Sequence, residues 1–200
     1  MDSFPQGMVI GFAVAAPVGP IGVLVIQRSL GSALVGLSTG LGAAVADATY
    51  ALVGTLATTL VARVVAASWV LELVGGIALA ALAFRALRKP TMAVVTGTTS
   101  SLALVRAFGE TVFLTAANPA TILSFAAIAA SQGLARTSHA QLFAAGVFVG
   151  SAAWWLLLSS SVRFGSRRLT PRGLRVIHVA SAVVLGVFAM VALGKALAGD

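Results

Sequence analysis

The sequence predicts an all-α integral membrane protein of six transmembrane helices, arranged as an inverted 3+3 repeat with helices 1 and 4 broken at proline. Three observations lead to that fold class. Hydrophobic residues make up 59% of the 200 and charged residues only 9%, with a mean hydropathy of +1.04. A soluble domain carries about 25% charged residues, so a chain this poor in charge must turn its outer surface to lipid. Next, six apolar segments can be drawn, at about 8–26, 33–62, 68–87, 107–130, 140–162 and 172–197. Each is long enough to span a bilayer, and none shows the period-2 alternation of a barrel strand. Last, a proline interrupts both the first segment and the fourth at matching places, Pro20 and Pro119.

The first segment contains Pro17-Val18-Gly19-Pro20, two prolines three residues apart. Proline removes a backbone donor and clashes with the preceding turn, at about 3 kcal/mol or more inside a helix. A helix with two of them flanking a glycine is expected to break rather than bend. Met1-Asp2-Ser3-Phe4-Pro5 lacks the basic start of a signal peptide, so this segment reads as a retained helix.

The second segment carries Asp47 near its centre, where an acidic side chain costs about 2.5–3.5 kcal/mol. Gly36, Gly40, Ala43, Asp47, Ala51, Gly54 and Thr58 recur at spacings of three and four, a small-residue stripe that lets a neighbouring backbone approach. Asp47 is therefore expected to face the bundle interior. Two roles stay open to it: carrying a proton or a substrate ammonium, or bracing the broken backbone of helix 1. Tyr50, on a nearby face, could bond a substrate but reads more simply as packing.

Ser68 starts the third segment, and Glu72 follows beside Trp69, where a carboxylate complements the helix dipole. Glu110 takes the same kind of place in the fourth segment, which later reaches Asn118-Pro119; there the Asn118 amide can satisfy exposed backbone. The fifth segment repeats the Gly-xxx-Gly spacing at Gly146 and Gly150 and contains Trp154-Trp155, read as packing. The last opens on Thr170-Pro171, an N-cap and first-turn proline, and His178 reads as interfacial. The glycine pairs of helices 2 and 5 are expected to make close helix contacts, within the chain or across a homodimer.

Basic residues fall unevenly between these segments. Arg28, Arg85, Arg88, Lys89, Arg106, Arg163, Arg167, Arg168, Arg172 and Arg175 lie on one side, against Arg63, Arg136 and Lys195 on the other. The positive-inside rule then puts both termini outside the cytoplasm. The same placement accounts for the net charge of +8 without nucleic-acid binding. Residues 1–200 read as one membrane domain, with repeat halves of about 4–90 and 105–200 and a cytoplasmic loop of about 88–106 between them. Paired breaks in the two halves point to a midplane site, as in secondary transporters.

Other chemistries find little support. Cysteine is absent, which removes disulfides and thiol ligands, and with two histidines and few carboxylates a metal site is poorly supplied. HExxH, Gly-x-Ser-x-Gly and phosphate-loop signatures are missing. Neither an enzyme nor a cofactor is expected.

Residues 16–53, APVGPIGVLVIQRSLGSALVGLSTGLGAAVADATYALV, resemble the LysE/RhtB family of amino-acid exporters. The family's Pro-Gly-Pro-like motif stands here as Pro17-Val18-Gly19-Pro20, one residue longer than the simple form. Thr115-Ala116-Ala117-Asn118-Pro119 is similar to the family's Asn-Pro element, with Ala120 where a lysine often follows. The resemblance implies a multi-pass protein of the cell inner membrane that exports amino acids or related small metabolites, driven by protons. Its substrate and proton pathway would involve Pro17, Gly19, Pro20, Asp47, Tyr50, Asn118 and Pro119. Metal-ion efflux within the same superfamily, or a non-transporting membrane subunit, are the alternatives.

Overall fold

The computed structural model describes residues 3–17, 19–56, 68–88, 100–118, 121, 124–125, 140–166 and 170–198. Among them are seven helices and no strand: α1 (Ser3–Ala15), α2 (Pro20–Gly31), α3 (Ala33–Leu56), α4 (Ser68–Arg88), α5 (Ser101–Ala116), α6 (Ala140–Ser166) and α7 (Pro171–Ala198).

Local chemistry explains several of the boundaries. A residue that precedes proline is pushed out of the α region, and Ala16 and Gly19 both do. Gly19 is accordingly extended (φ −98°, ψ −167°), its N–H turning back to the Pro17 carbonyl at 2.9 Å. Pro20 then opens α2 at a position where its missing N–H costs nothing. The axes of α1 and α2 diverge by 80° across this break. Helix α5 starts at Ser100, whose hydroxyl accepts from the Ala103 N–H at 3.2 Å. It ends at Ala116, two residues ahead of Asn118.

Helix α2 sits at the centre. It packs on α3, α6 and α7, while α1 runs along α6, α4 along α7, and α3 against both α5 and α6. Leu24 and Val25 of α2 join Ala43, Ala44, Leu79, Leu114, Trp155 and Leu185 in the main core. The outer faces of α6 and α7 are apolar and exposed, at Leu142, Leu156 and Leu157 and at Val179, Val183, Val187 and Met190. Exposed apolar surface on this scale belongs against lipid.

The expectation of six transmembrane helices in an inverted 3+3 repeat is not met. Among the described residues, Ala140–Gly165 and Val179–Leu197 are the two helices long and apolar enough to cross a membrane, and a third is reached only if the bent pair α1–α2 forms one span. The cause lies in composition within the segments. Helix α3 has the length, 24 residues, but Ser38, Thr39, Asp47, Thr49, Tyr50 and several glycines dilute its apolar character. The apolar part of α4 is the short stretch Trp69–Phe84, and α5 has 16 residues that include Arg106 and Glu110. Both fall below the roughly 20 apolar residues a bilayer core requires. Overall hydropathy counted these stretches as spans; helix length and interior polarity do not.

A cavity at the helix break

A cavity of about 540 Å³ lies where the α1–α2 break, the end of α5, and helices α4 and α7 meet, a size usual for small-molecule sites. Pro17, Gly19 and Pro20 line it from one side and Asn118 from another, so four of the residues singled out in the sequence are brought together. Pro119 lies outside the described residues. The first N–H groups of α2 have no intrahelical partner, and the N-cap Gly19 offers no side chain to satisfy them. An uncapped, positively polarised helix end thus borders the space.

Glu72 of α4 also lines the cavity. It is 7% exposed, and its Oε2 has no hydrogen-bond partner. Leaving a buried polar group unpaired costs about 1–3 kcal/mol, and more for a charged one. Lys195 of α7 also lines the cavity from an exposed position.

Asp47 lies elsewhere. It is 3% exposed, and its Oδ2 accepts a 2.7 Å hydrogen bond from the Ser151 hydroxyl, which itself accepts from the Trp155 indole N–H at 3.0 Å. The carboxylate is therefore held in the α3–α6 contact, facing the interior but absent from the cavity lining. Tyr50, one turn further along α3, donates to the Ala116 carbonyl at 2.5 Å. It thereby ties α3 to the end of α5, next to the lining residues Ala117 and Asn118.

The profile of the LysE type translocators matches residues 12–195. The chain belongs to this family. Its members are transporters and not enzymes, and with its apolar helices the protein is a membrane-associated small-molecule translocator. No curated protein and no solved structure gives a match. Among the described residues, no three His, Cys, Asp or Glu side chains gather where they could hold a metal ion.

The glycines of the translocator make their close contacts within the chain. A Cβ on Gly146 or Gly150 would collide with the backbone of Phe4 or Met8, and one on Gly7 or Gly11 with the backbone of Phe143 or Val147. Two Gly-xxx-Gly pairs therefore interlock α1 with α6, and the α1 member of the set, Gly7 and Gly11, was legible in the sequence but not read from it. Gly40 abuts Trp155, and Gly36 abuts Ser29 of the neighbouring α2.

A second polar cluster joins α2, α3 and α5. Arg28 Nη1 donates to Thr39 Oγ1 at 3.0 Å and to the Ala107 carbonyl at 3.2 Å, while its Nη2 lies 2.5 Å from Glu110 Oε2. Arg106 Nε binds the other Glu110 oxygen at 2.8 Å. Partial burial acts to raise the Glu110 pKa, but the hydrogen bond from Arg106 and the charge and hydrogen bond of Arg28 outweigh it and hold the carboxyl below its ordinary value. Glu110 is thus a bridge between two arginines rather than a residue that merely complements its helix dipole.

Glu72 and Lys195 were read from sequence as an interfacial acid and a flanking charge. A signal for Glu72 was present: Gly75 and Gly76 follow it at spacings of three and four, a short counterpart of the small-residue stripe that marked Asp47. Gly75 approaches the Ala117 carbonyl and Gly76 the Leu193 side chain, which brings this face of α4 close to the neighbours that enclose the cavity.

Proposed function

We propose that this translocator exports amino acids or related small metabolites from the cytoplasm across the plasma membrane, with the cavity at the α1–α2 break as the substrate site. The observation that carries the reading is the meeting of two interrupted backbones, at Pro17–Pro20 and at Ala117–Asn118, around one cavity of about 540 Å³. Interrupted helices supply free N–H groups and free carbonyls at short range, and a zwitterion matches both.

Export is coupled to proton entry, with Asp47 as the proton-binding group. Being buried and away from the cavity, it acts at a distance rather than by displacing substrate directly. Protonation cancels its charge and turns an acceptor of the Ser151 hydroxyl into a group that can donate. The α3–α6 contact changes as a result, and the Tyr50–Ala116 hydrogen bond carries the change to the end of α5. Asp47→Asn retains the hydrogen-bonding shape while removing the proton site.

The test is amino-acid efflux from dipeptide-loaded cells, with and without an uncoupler. Wild-type efflux is expected to fall when the uncoupler is added, and Asp47→Asn to be present in the membrane yet lose energised efflux by about tenfold or more. Efflux indifferent to the uncoupler, or unchanged in Asp47→Asn, removes the proton-coupled mechanism.

A further inference from the structure

We propose that Glu72 is the ammonium-binding carboxylate of the cavity, sharing that space with the uncapped start of α2, which takes the ligand's carboxylate. The inference rests on the transport reading above and assigns the charge recognition within that site. Of the two buried acids among the described residues, Asp47 has its hydrogen-bond partner in Ser151, whereas Glu72 Oε2 has none. Glu72 is also the one that lines the cavity.

Its surroundings select for a cation. Lys195 lines the same space but forms no ion pair with Glu72, and no other cation among the described residues does either. Leu71, Leu79 and Leu114 supply apolar walls around it, where a charged hydrogen bond is worth more than in water. An ammonium offers three donors to the free oxygen. Gly19 and Pro20 bring the α2 N-terminus to the wall of the same cavity, and its dipole favours an anion. The same cavity thus holds a group that suits positive charge and a helix end that suits negative, which fits a small zwitterion carrying a primary amine.

The test uses the full chain in detergent. A hydrophobic carbodiimide adds to a carboxyl group: the carboxyl oxygen bonds to the carbodiimide carbon, the proton passes to nitrogen, and rearrangement leaves an N-acylurea readable by peptide mass mapping. Each of the twenty L-amino acids serves as a protecting probe. For any that protects, its decarboxylated amine and its deaminated acid are compared. Labelling is expected at Glu72, to be suppressed at least about tenfold by one or more amino acids, to be partly suppressed by the amine, and to persist with the acid. Asp47 labelling is expected to be indifferent to all of them. Glu72→Gln should weaken binding of the protecting amino acid by about tenfold or more, and Glu72→Asp should recover part of it.

Protection of Glu72 by no amino acid, or equally by the deaminated acid, overturns the proposal, as does full-affinity binding by Glu72→Gln. Should Glu72→Gln fail to fold, wild-type protection still decides. The export reading fails separately, when wild-type cells release no amino acid, and the labelling result is unaffected by that outcome.

Discussion

Two sides of this translocator treat the same ingredients in opposite ways. Where α1, α3 and α6 meet, glycines are interlocked backbone to backbone and the buried acid Asp47 is tied to Ser151 and through it to Trp155. Where α4 and α7 meet the end of α5, Gly75 and Gly76 approach Ala117 and Leu193 but also line a cavity, and the buried acid Glu72 has an unpaired oxygen. Both acids sit on small-residue stripes and both are buried, so burial alone does not separate them. Their partners do. The satisfied carboxylate has its partner within the chain, away from the cavity, and the unsatisfied one beside the cavity calls for a partner from outside, the role proposed above for Glu72.

The contrast is broken most forcefully on the interlocked side. In Gly150→Leu the new side chain must enter a space where a Cβ would already stand 2.7 Å from the Met8 carbonyl carbon and 2.9 Å from its Cα. Overpacking costs about 1–3 kcal/mol and occasionally more, and a backbone that cannot turn aside puts this site at the upper end. A large drop in the thermal midpoint in detergent is expected, and wild-type stability would show that α1 and α6 are not in tight contact.

Ser151→Ala comes next. It leaves the Asp47 oxygen without its donor and should cost about 1–3 kcal/mol. Glu72→Gln has no partner to lose among the described residues and should leave the thermal midpoint within about 0.5 kcal/mol of wild type. Equal losses in the two variants would erase the distinction between the two sides.

Pro20→Ala restores a backbone donor at the start of α2 and loosens the break that borders the cavity. Efflux is expected to fall at least about fivefold while membrane expression stays near normal; full efflux would detach the break from transport. A smaller effect, of opposite sign to that of Gly150, is expected at Gly186 in α7. A Cβ there meets nothing within 4 Å, so Gly186→Ala should stabilise by about 0.5–1 kcal/mol.

The smallest effect concerns pH. Because the Glu110 pKa is lowered in the folded protein, its contribution to stability is fully present above the ordinary value of 4.5 and is lost as pH falls through the lowered one. Acid titration of the melting temperature should therefore flatten in Glu110→Gln relative to wild type. Parallel curves would show that the two arginines do not act through Glu110.

Much of this was legible in the sequence where one residue type has one physical consequence. Pro17 and Pro20 could only interrupt a helix, and Asp47 on its stripe of glycine and alanine could only face inward. The number of spans was not legible, because hydropathy sums over a segment and cannot say that α5 stops at Ala116 or that polar groups interrupt α3. Nor could sequence separate Asp47 from Glu72. Ser151 is more than a hundred residues from Asp47 along the chain, and whether an acid has found such a partner is decided only by the packing of α3 on α6. The cluster around Arg28 was hidden for the same reason: an arginine near a helix end looks topogenic until its partners on α5 are in view.

The Arg28–Glu110 pair also has a consequence in time. Its two residues are separated by 82 positions, and at about 5–20 residues per second a ribosome needs roughly 4–16 s to make that stretch. During this interval α2 is already made, and its positive charge waits without the Glu110 carboxylate that pairs with it. Of its partners only Thr39 of α3 is made early, so water and lipid headgroups must share the guanidinium with that hydroxyl, which favours keeping that end of α2 at the membrane surface until α5 is made. When α5 arrives, Glu110 finds the charge waiting, and the last helix contact on that side closes around a residue placed there several seconds earlier.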